Sequence, residues 1–386
     1  MKILYIALGG KGGSDKALID ILSILTKDYD IEPLVICGRK DLIPELERIG
    51  VKSLFYDFEW ALCPPNTTLK DKILYVPRRL KACLRRRRDV YALKTIVKEF
   101  QPYIIHTNIG VVNLGYLLGK KMRIPHIWHI REYQILDHDM HYIGGLKNFR
   151  RVLRLNKFNI GITKDLYRYF RMENPSVQIY DGVRSFRPNS IAMLQKPRNY
   201  FLFAGFIYQG KGLDELLFAY KEYCDRGGAN NLFILGTFNE YNSFHQWVKQ
   251  YIEKNNLDGV KLLGFRDDVD ELMSHSVAVI VPSRFEAFGR VACEGMFNKT
   301  LVIGKDTGGT KEQFDNVDEY VGDPISLRYS TEHELVDRMF ESENMSIKRR
   351  SEIIELSFRL VNSLYTNEIS AAHVYEYYTY VLNYDH

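Results

Sequence analysis

Between residues 277 and 303 the chain reads strand, loop, helix, strand, and that order restricts it to an α/β fold. The apolar run Val277-Ala278-Val279-Ile280 lacks alternation and has the length of a strand buried on both faces. Pro282-Ser283 ends it, a helix-like segment runs to about Lys299, and a second apolar run occupies 300–303. Parallel sheets built from such units bind their ligands at the carboxyl ends of the strands. Two carboxylates fall there, Glu286 in the loop and Glu294 about one turn into the helix. Gly289 lets the backbone approach a ligand, and the first N–H groups of the helix suit a phosphate. Taken alone, two glutamates eight residues apart equally describe a surface loop followed by an exposed helix position.

The same alternation recurs along the chain. Strands are predicted at 2–8, 33–37, 52–56, 103–108, 124–132, 159–163 and 177–180, with helices at 16–27, 42–49, 111–122 and 146–155. Residues 58–77 read as irregular, with Pro64-Pro65-Asn66 as a break. A second series opens with the strand 200–206 and a helix at 213–224. A strand at 232–236, a helix at 244–255 and a strand at 260–265 follow. The total of 386 residues suits two or three domains, each large enough for its own core. No stretch approaches the roughly 18 apolar residues of a membrane span. The apolar start leads straight into glycines, so it reads as a first strand rather than a signal peptide. Five scattered cysteines without a C-x-x-C pair suggest neither a disulfide framework nor a zinc site, which fits a reducing cytoplasm.

Charge divides the chain. Residues 1–190 carry 33 Lys+Arg against 19 Asp+Glu, a net of +14, whereas 191–386 carry 20 against 29, a net of −9. An anionic partner is therefore expected for the first half only. Its basic residues concentrate at 78–88, where Arg78, Arg79, Lys81, Arg85, Arg86, Arg87 and Arg88 accompany Leu80, Cys83 and Leu84. Such a helix can lie on an anionic membrane surface, or simply present a solvated basic face. No nucleic-acid-binding motif surrounds it, so nucleic acid is not an expected partner.

Three further groups are candidates for chemistry. The first strand ends in Gly9-Gly10-Lys11-Gly12-Gly13, with Ser14 or Asp15 as a cap for the next helix, a turn able to cradle phosphate. The strand around 124–132 places His129 and Arg131 on one face by alternation, with Glu132 following. A lone histidine on such a strand is more often structural than catalytic. In the second series, Gln209-Gly210-Lys211-Gly212 follows a strand, which places Lys211 at a helix start.

These residues carry a resemblance. Pro282-Ser283, Glu286-x7-Glu294 and Gly308-Gly309-Thr310 together resemble the retaining glycosyltransferases of family 4. That family has the GT-B architecture, two Rossmann-like domains facing across a cleft. The resemblance implies a first domain over 1–184, a linker over 185–197 and a nucleotide-sugar domain over 198–367, with a last helix from about 368 crossing back. It assigns the donor diphosphate to Lys211 and the N–H groups of Phe288, Gly289, Arg290 and Val291. Ribose hydroxyls go to Glu294, the nucleotide base to the turn at Gly264 and Phe265, and the first loop to Gly12 and Gly13. Glu286 would hold donor-sugar hydroxyls and His129 would reach the donor sugar, while Arg131 and Glu132 could hold acceptor or phosphates. Asp181-Gly182-Val183 resembles the N-G-V that closes the first domain, with Asp for Asn. Phe206 stands where many members have an arginine, which removes one of two cations and leaves Arg290 or Arg131 as substitutes.

The implied reaction is sugar transfer from a nucleotide sugar, UDP before GDP, with retention, to a glycan or lipid-linked acceptor in cell-surface polysaccharide synthesis. No D-x-D motif stands at a strand end and no cofactor is implied, so a metal-independent enzyme is expected, cytoplasmic or peripheral on the inner membrane face. The rivals are a nucleotide-sugar 2-epimerase, a two-domain sugar-binding protein and a non-catalytic GT-B partner subunit.

Overall fold

The computed structural model describes residues 1–10, 12–63, 68–138, 140–187 and 199–384. The chain separates into two compact units, one of Met1–Ser185 together with the chain from Thr366 on, the other of Phe186–Tyr365. Most of the segment expected to act as a linker, 188–197, lies outside the described residues, as do Pro64-Pro65-Asn66 and Lys11.

The first unit is a seven-stranded parallel sheet. Its strands are β1 (Lys2–Ala7), β2 (Glu32–Cys37), β3 (Lys52–Phe55), β5 (Ile104–Thr107), β6 (His126–Ile130), β8 (Asn159–Gly161) and β9 (Val177–Gln178), in the order β3-β2-β1-β5-β6-β8-β9. A small antiparallel pair, β4 (Leu62–Cys63) with β7 (His141–Tyr142), stands apart. The order reverses between β1 and β5, so their carboxyl ends flank a crevice where α/β folds bind ligands.

The unbroken apolar character of β1 follows from its two-sided burial. Ile3, Tyr5 and Ala7 join Leu18, Leu22 and Leu25 of the helix Gly13–Asp28 and Val374, Tyr378 and Val381 of the helix Asn367–Leu382. Leu4 and Ile6 face the other way, into a core with Leu93, Val97 and Leu118. Burying each such side chain is worth roughly 2 kcal/mol. The final helix thus belongs to the first unit's core, as the GT-B resemblance implies.

Two local expectations fail. The helix after residue 68 spans Leu69–Phe100 and contains Pro77, so much of the stretch read as irregular is helical. Before Ala82 it turns no apolar stripe to the core, and a proline in the interior normally ends a helix. Its apolar residues there point outward instead. Leu69, Ile73, Val76, Leu80 and Leu84 are each more than 60% exposed, and their spacing keeps them on one face. The first helix also starts earlier than expected. Gly12 is its N-cap, so neither Ser14 nor Asp15 occupies that position.

The second unit is a six-stranded parallel sheet of β10 (Tyr200–Ala204), β11 (Asn231–Leu235), β12 (Val260–Gly264), β13 (Ala278–Val281), β14 (Leu301–Lys305) and β15 (Leu327–Tyr329). The order β12-β11-β10-β13-β14-β15 reverses between β10 and β13. Both units are therefore Rossmann-like.

Candidate active site

In the second unit, β10 and β13 are neighbours across the point where the strand order reverses. The loop after β10 closes with a 3-10 turn, Gln209–Lys211, and then Gly212 at φ +68° opens the helix Leu213–Asp225. A Cβ on Gly212 would lie 1.9 Å from the carbonyl oxygen of Pro282. Only glycine lets the two loops touch here. The contact brings together residues 75 apart in sequence, with Lys211 Nζ 2.5 Å from Glu286 Oε1. The Ser283 hydroxyl donates to the same oxygen at 2.7 Å. The side chains of Lys211 and Glu286 keep 22% and 16% of their exposure, so both can meet a ligand.

The loop carrying Glu286 is locked from below by Gly308-Gly309-Thr310. Gly309 N donates to the Glu286 carbonyl at 2.7 Å. A Cβ on Gly308 would meet that carbonyl at 2.3 Å, and one on Gly309 would meet Phe288 Cα at 2.5 Å. The helix Arg290–Phe297 then starts from Gly289 at φ +83°. Ala292 N donates back to the carbonyl of this N-cap at 3.0 Å, and Glu294 lies one turn in. Gln313 was not anticipated. Its amide donates to the carbonyls of Phe288 and Gly289 and so holds the loop-to-helix junction. Gln313 Oε1 and Thr310 Oγ1 are buried without a partner among the described residues. At the end of β12, Gly264 has φ +69° with open space around it, and Phe265 is 76% exposed. Phe206, after β10, is exposed as well.

In the first unit, Asp15 takes over the glycine loop. Its carboxylate accepts from the N–H groups of Gly9 and Gly10, both at 3.1 Å. Burial raises its pKa despite those bonds. The first two amides of the loop are thus held by an internal anion. Gly12 has nothing near its Cβ position, and Gly13 begins the helix.

His129 sits at the carboxyl end of β6 in a buried polar cluster. Arg131 forms a buried ion pair with Asp181 and donates to Asn108 Oδ1 at 3.2 Å and to His129 Nδ1 at 3.2 Å. The aspartate that replaces asparagine in D-G-V is therefore the counter-ion of Arg131, which leaves this arginine engaged within its own unit. Burial, helped by Arg131 and His106, pushes the His129 pKa well below the usual histidine range. Glu132 is also internal. It accepts from Gly110 N at 2.7 Å, and burial together with Asp137 raises its carboxyl to about 8. His106 and Tyr378, which touch this cluster, were not singled out from the sequence. Their only signal was a polar residue inside an apolar strand and a tyrosine-rich last helix.

Comparison with known proteins relates the second unit to a family. Residues 189–350 match the family of glycosyl transferases group 1. An uncharacterized glycosyltransferase of Methanocaldococcus jannaschii is 29% identical over 227 residues, covering 57% of this chain and 60% of that protein. The aligned part thus spans about three-fifths of that relative's length. Two solved structures share the fold over nearly the whole chain. A glycosyltransferase from Rickettsia africae has TM-score 0.75 at 17% identity, covering 100% of this chain and 99% of its own. HepE of Anabaena, in complex with UDP, has TM-score 0.73 at 17% identity, covering 98% and 100%. Two Rossmann-like units, with a last helix returned to the first of them, give this chain the GT-B fold of those structures, and its second unit is similar to the glycosyl transferases group 1 family.

Proposed function

We propose that the chain is a retaining glycosyltransferase that moves a sugar from a UDP-sugar to a glycan or lipid-linked acceptor. The observation that carries this reading is the Lys211–Glu286 contact beside the start of the helix Arg290–Phe297. A cation and a carboxylate are then in contact, just ahead of a helix N-terminus in the chain, at the switch point of the sheet. That set suits a diphosphate joined to a sugar. A structural relative, HepE of Anabaena, has been solved with UDP-glucose, which favours uridine in this chain too.

Departure of the diphosphate leaves positive charge on the sugar and negative charge on the leaving group. Lys211 and the amides from Phe288 to Val291 stabilise the second of these. Glu294 accepts from the ribose hydroxyls, and Gly264 with Phe265 borders the base. Glu286 orients the sugar through its hydroxyls, and His129 supplies a neutral contact to the donor sugar. Gly12 and Gly13 border the ligand, whereas Arg131 and Glu132 act through the shape of the first unit. Phe206 presents an apolar face where a second cation is common in the family, which keeps a non-catalytic partner subunit as the second reading.

The acceptor side rests on charge and exposure. The helix Leu69–Phe100 carries the outward stripe from Leu69 to Leu84 between basic residues. Such a face suits an anionic bilayer, where a lipid-linked acceptor would reside. No helix among the described residues is long and apolar enough to cross a membrane.

The test is transfer itself. Purified protein, a labelled UDP-sugar and detergent-solubilised lipid extract are expected to give a labelled glycolipid whose new anomeric centre keeps the donor's configuration. An inverted product would overturn the retaining assignment. UDP-sugar binding without transfer to any acceptor would favour the partner subunit.

A further inference from the structure

A row of hydrogen bonds runs beneath His129, from the first strand to the last helix of the first unit. Tyr5 on β1, His106 on β5 and His129 on β6 lie side by side, because β1 and β5 pair Tyr5 with His106 and β5 lies beside β6. Tyr378 reaches into this row from the helix Asn367–Leu382. The distances are 2.8 Å between the Tyr5 and Tyr378 hydroxyls, 2.6 Å from Tyr378 Oη to His106 Nδ1, and 3.3 Å from His106 Nε2 to His129 Nδ1. All four side chains are buried.

The partners fix the protons. A guanidinium only donates, so Arg131, at 3.2 Å from His129 Nδ1, makes that nitrogen an acceptor. The single proton of neutral His129 is then on Nε2. His106 Nε2 faces the same acceptor nitrogen, and two facing lone pairs would repel, so His106 also carries its proton on Nε2. Its Nδ1 must then accept from the Tyr378 hydroxyl, and that oxygen accepts from Tyr5. Every donor in the row points toward His129. The row ends at His129 Nε2, a buried atom with no partner among the described residues. Asp181 Oδ1 is 4.0 Å away, beyond hydrogen-bond reach. Donation into Nδ1 polarises the ring and strengthens Nε2–H as a donor.

We propose that His106 and Tyr378 are positioning residues that hold His129 as a neutral Nε2–H donor for an oxygen of the bound ligand. The ligand part of this rests on the transferase reading; the proton assignment stands on the geometry alone. His129 on this account gives a hydrogen bond and takes no proton. The last helix is thereby tied to the site's chemistry as well as to its core.

Nitrogen-15 NMR of histidine-labelled full-length protein tests it. The expected spectrum gives His129 and His106 each a pyridine-like Nδ1 and a pyrrole-like Nε2, unchanged from pH 8 to pH 6. A pyrrole-like Nδ1 on His129, or an imidazolium in that range, would overturn the assignment. In His106→Gln the amide still donates to His129 Nδ1, whereas His106→Leu removes the donor. Glutamine is therefore expected to keep His129 Nδ1 near its wild-type shift, and leucine to move it. A donor-sugar kcat at least tenfold higher in the glutamine variant would accompany this. Equal His129 spectra for the two variants would refute the positioning role. Saturation with UDP-sugar is expected to move the Nε2 resonance and leave Nδ1 in place. A correct wild-type tautomer with no response to any sugar nucleotide would refute the ligand contact and leave the proton assignment standing.

Discussion

Lys211 and Glu286 share a 2.5 Å contact although each belongs to a different loop. On the proposed function, lysine serves the charge that leaves and glutamate the sugar that stays, so the two side chains would answer to different parts of one donor. Glu286→Gln is accordingly expected to leave UDP affinity within about threefold while lowering kcat by roughly 10²–10³, the scale of a lost transition-state contact. Calorimetric titration with UDP, beside initial rates with the UDP-sugar, checks the split. A parallel loss of UDP affinity would place Glu286 at the phosphates instead.

Glycine at 212 is required by space as well as by its dihedral. Gly212→Ala would drive a Cβ to 1.9 Å from a backbone carbonyl at φ +68°. A destabilisation of about 2–4 kcal/mol is expected, since backbone must move. Gly264 has a similar φ of +69° with nothing within 4 Å, so Gly264→Ala should cost only about 1 kcal/mol. Urea unfolding of the two variants side by side measures the difference.

Buried titrating groups give the first unit a stability maximum near pH 6.5. Burial lowers His126 to about 4 and lowers His106 and His129 as well. Above their unfolded pKa near 6.5 these rings are neutral in both states and stability does not respond. Below it the unfolded chain binds protons that the folded chain refuses, so stability falls by about 1.4 kcal/mol per pH unit for each ring. Glu132 acts oppositely. Folded, it holds its proton to about 8, so stability falls as pH rises from about 4.5 to 8. In a Trp247→Phe background, Trp60 and Trp128 report on the first unit. Urea midpoints there should peak near pH 6.5, and Glu132→Gln should flatten the fall toward pH 8.

The exposed stripe on the helix Leu69–Phe100 predicts lipid dependence. Sedimentation with phosphatidylglycerol vesicles is expected, and neutral phosphatidylcholine vesicles should leave the protein in solution. Each basic residue near an anionic surface contributes about 1 kcal/mol. Ile73→Glu with Leu80→Glu should therefore weaken binding at least tenfold without changing the fold, as read by circular dichroism. Equal binding to both lipids would refute the electrostatic part.

Much of this was legible in the sequence because parallel strands buried on both faces leave apolar runs without alternation. The carboxylates and Lys211 were legible because glycines and prolines mark the loops that hold them. What stayed hidden depends on pairing across the sheet. Asp15 looked like a helix cap, and only the fold shows its carboxylate turned back on Gly9 and Gly10. His106 and Tyr378 are 272 residues apart, and no spacing rule joins them. The helix through Pro77 is not legible because its apolar period faces outward and a proline stands in its interior.

The most direct test is a binding screen of the purified chain against UDP-, GDP- and ADP-sugars, with Lys211→Ala and Glu294→Ala beside it. The account predicts saturable binding of a UDP-sugar, weakened at least tenfold by each substitution. Indifference to every sugar nucleotide, or binding that neither substitution alters, would contradict it.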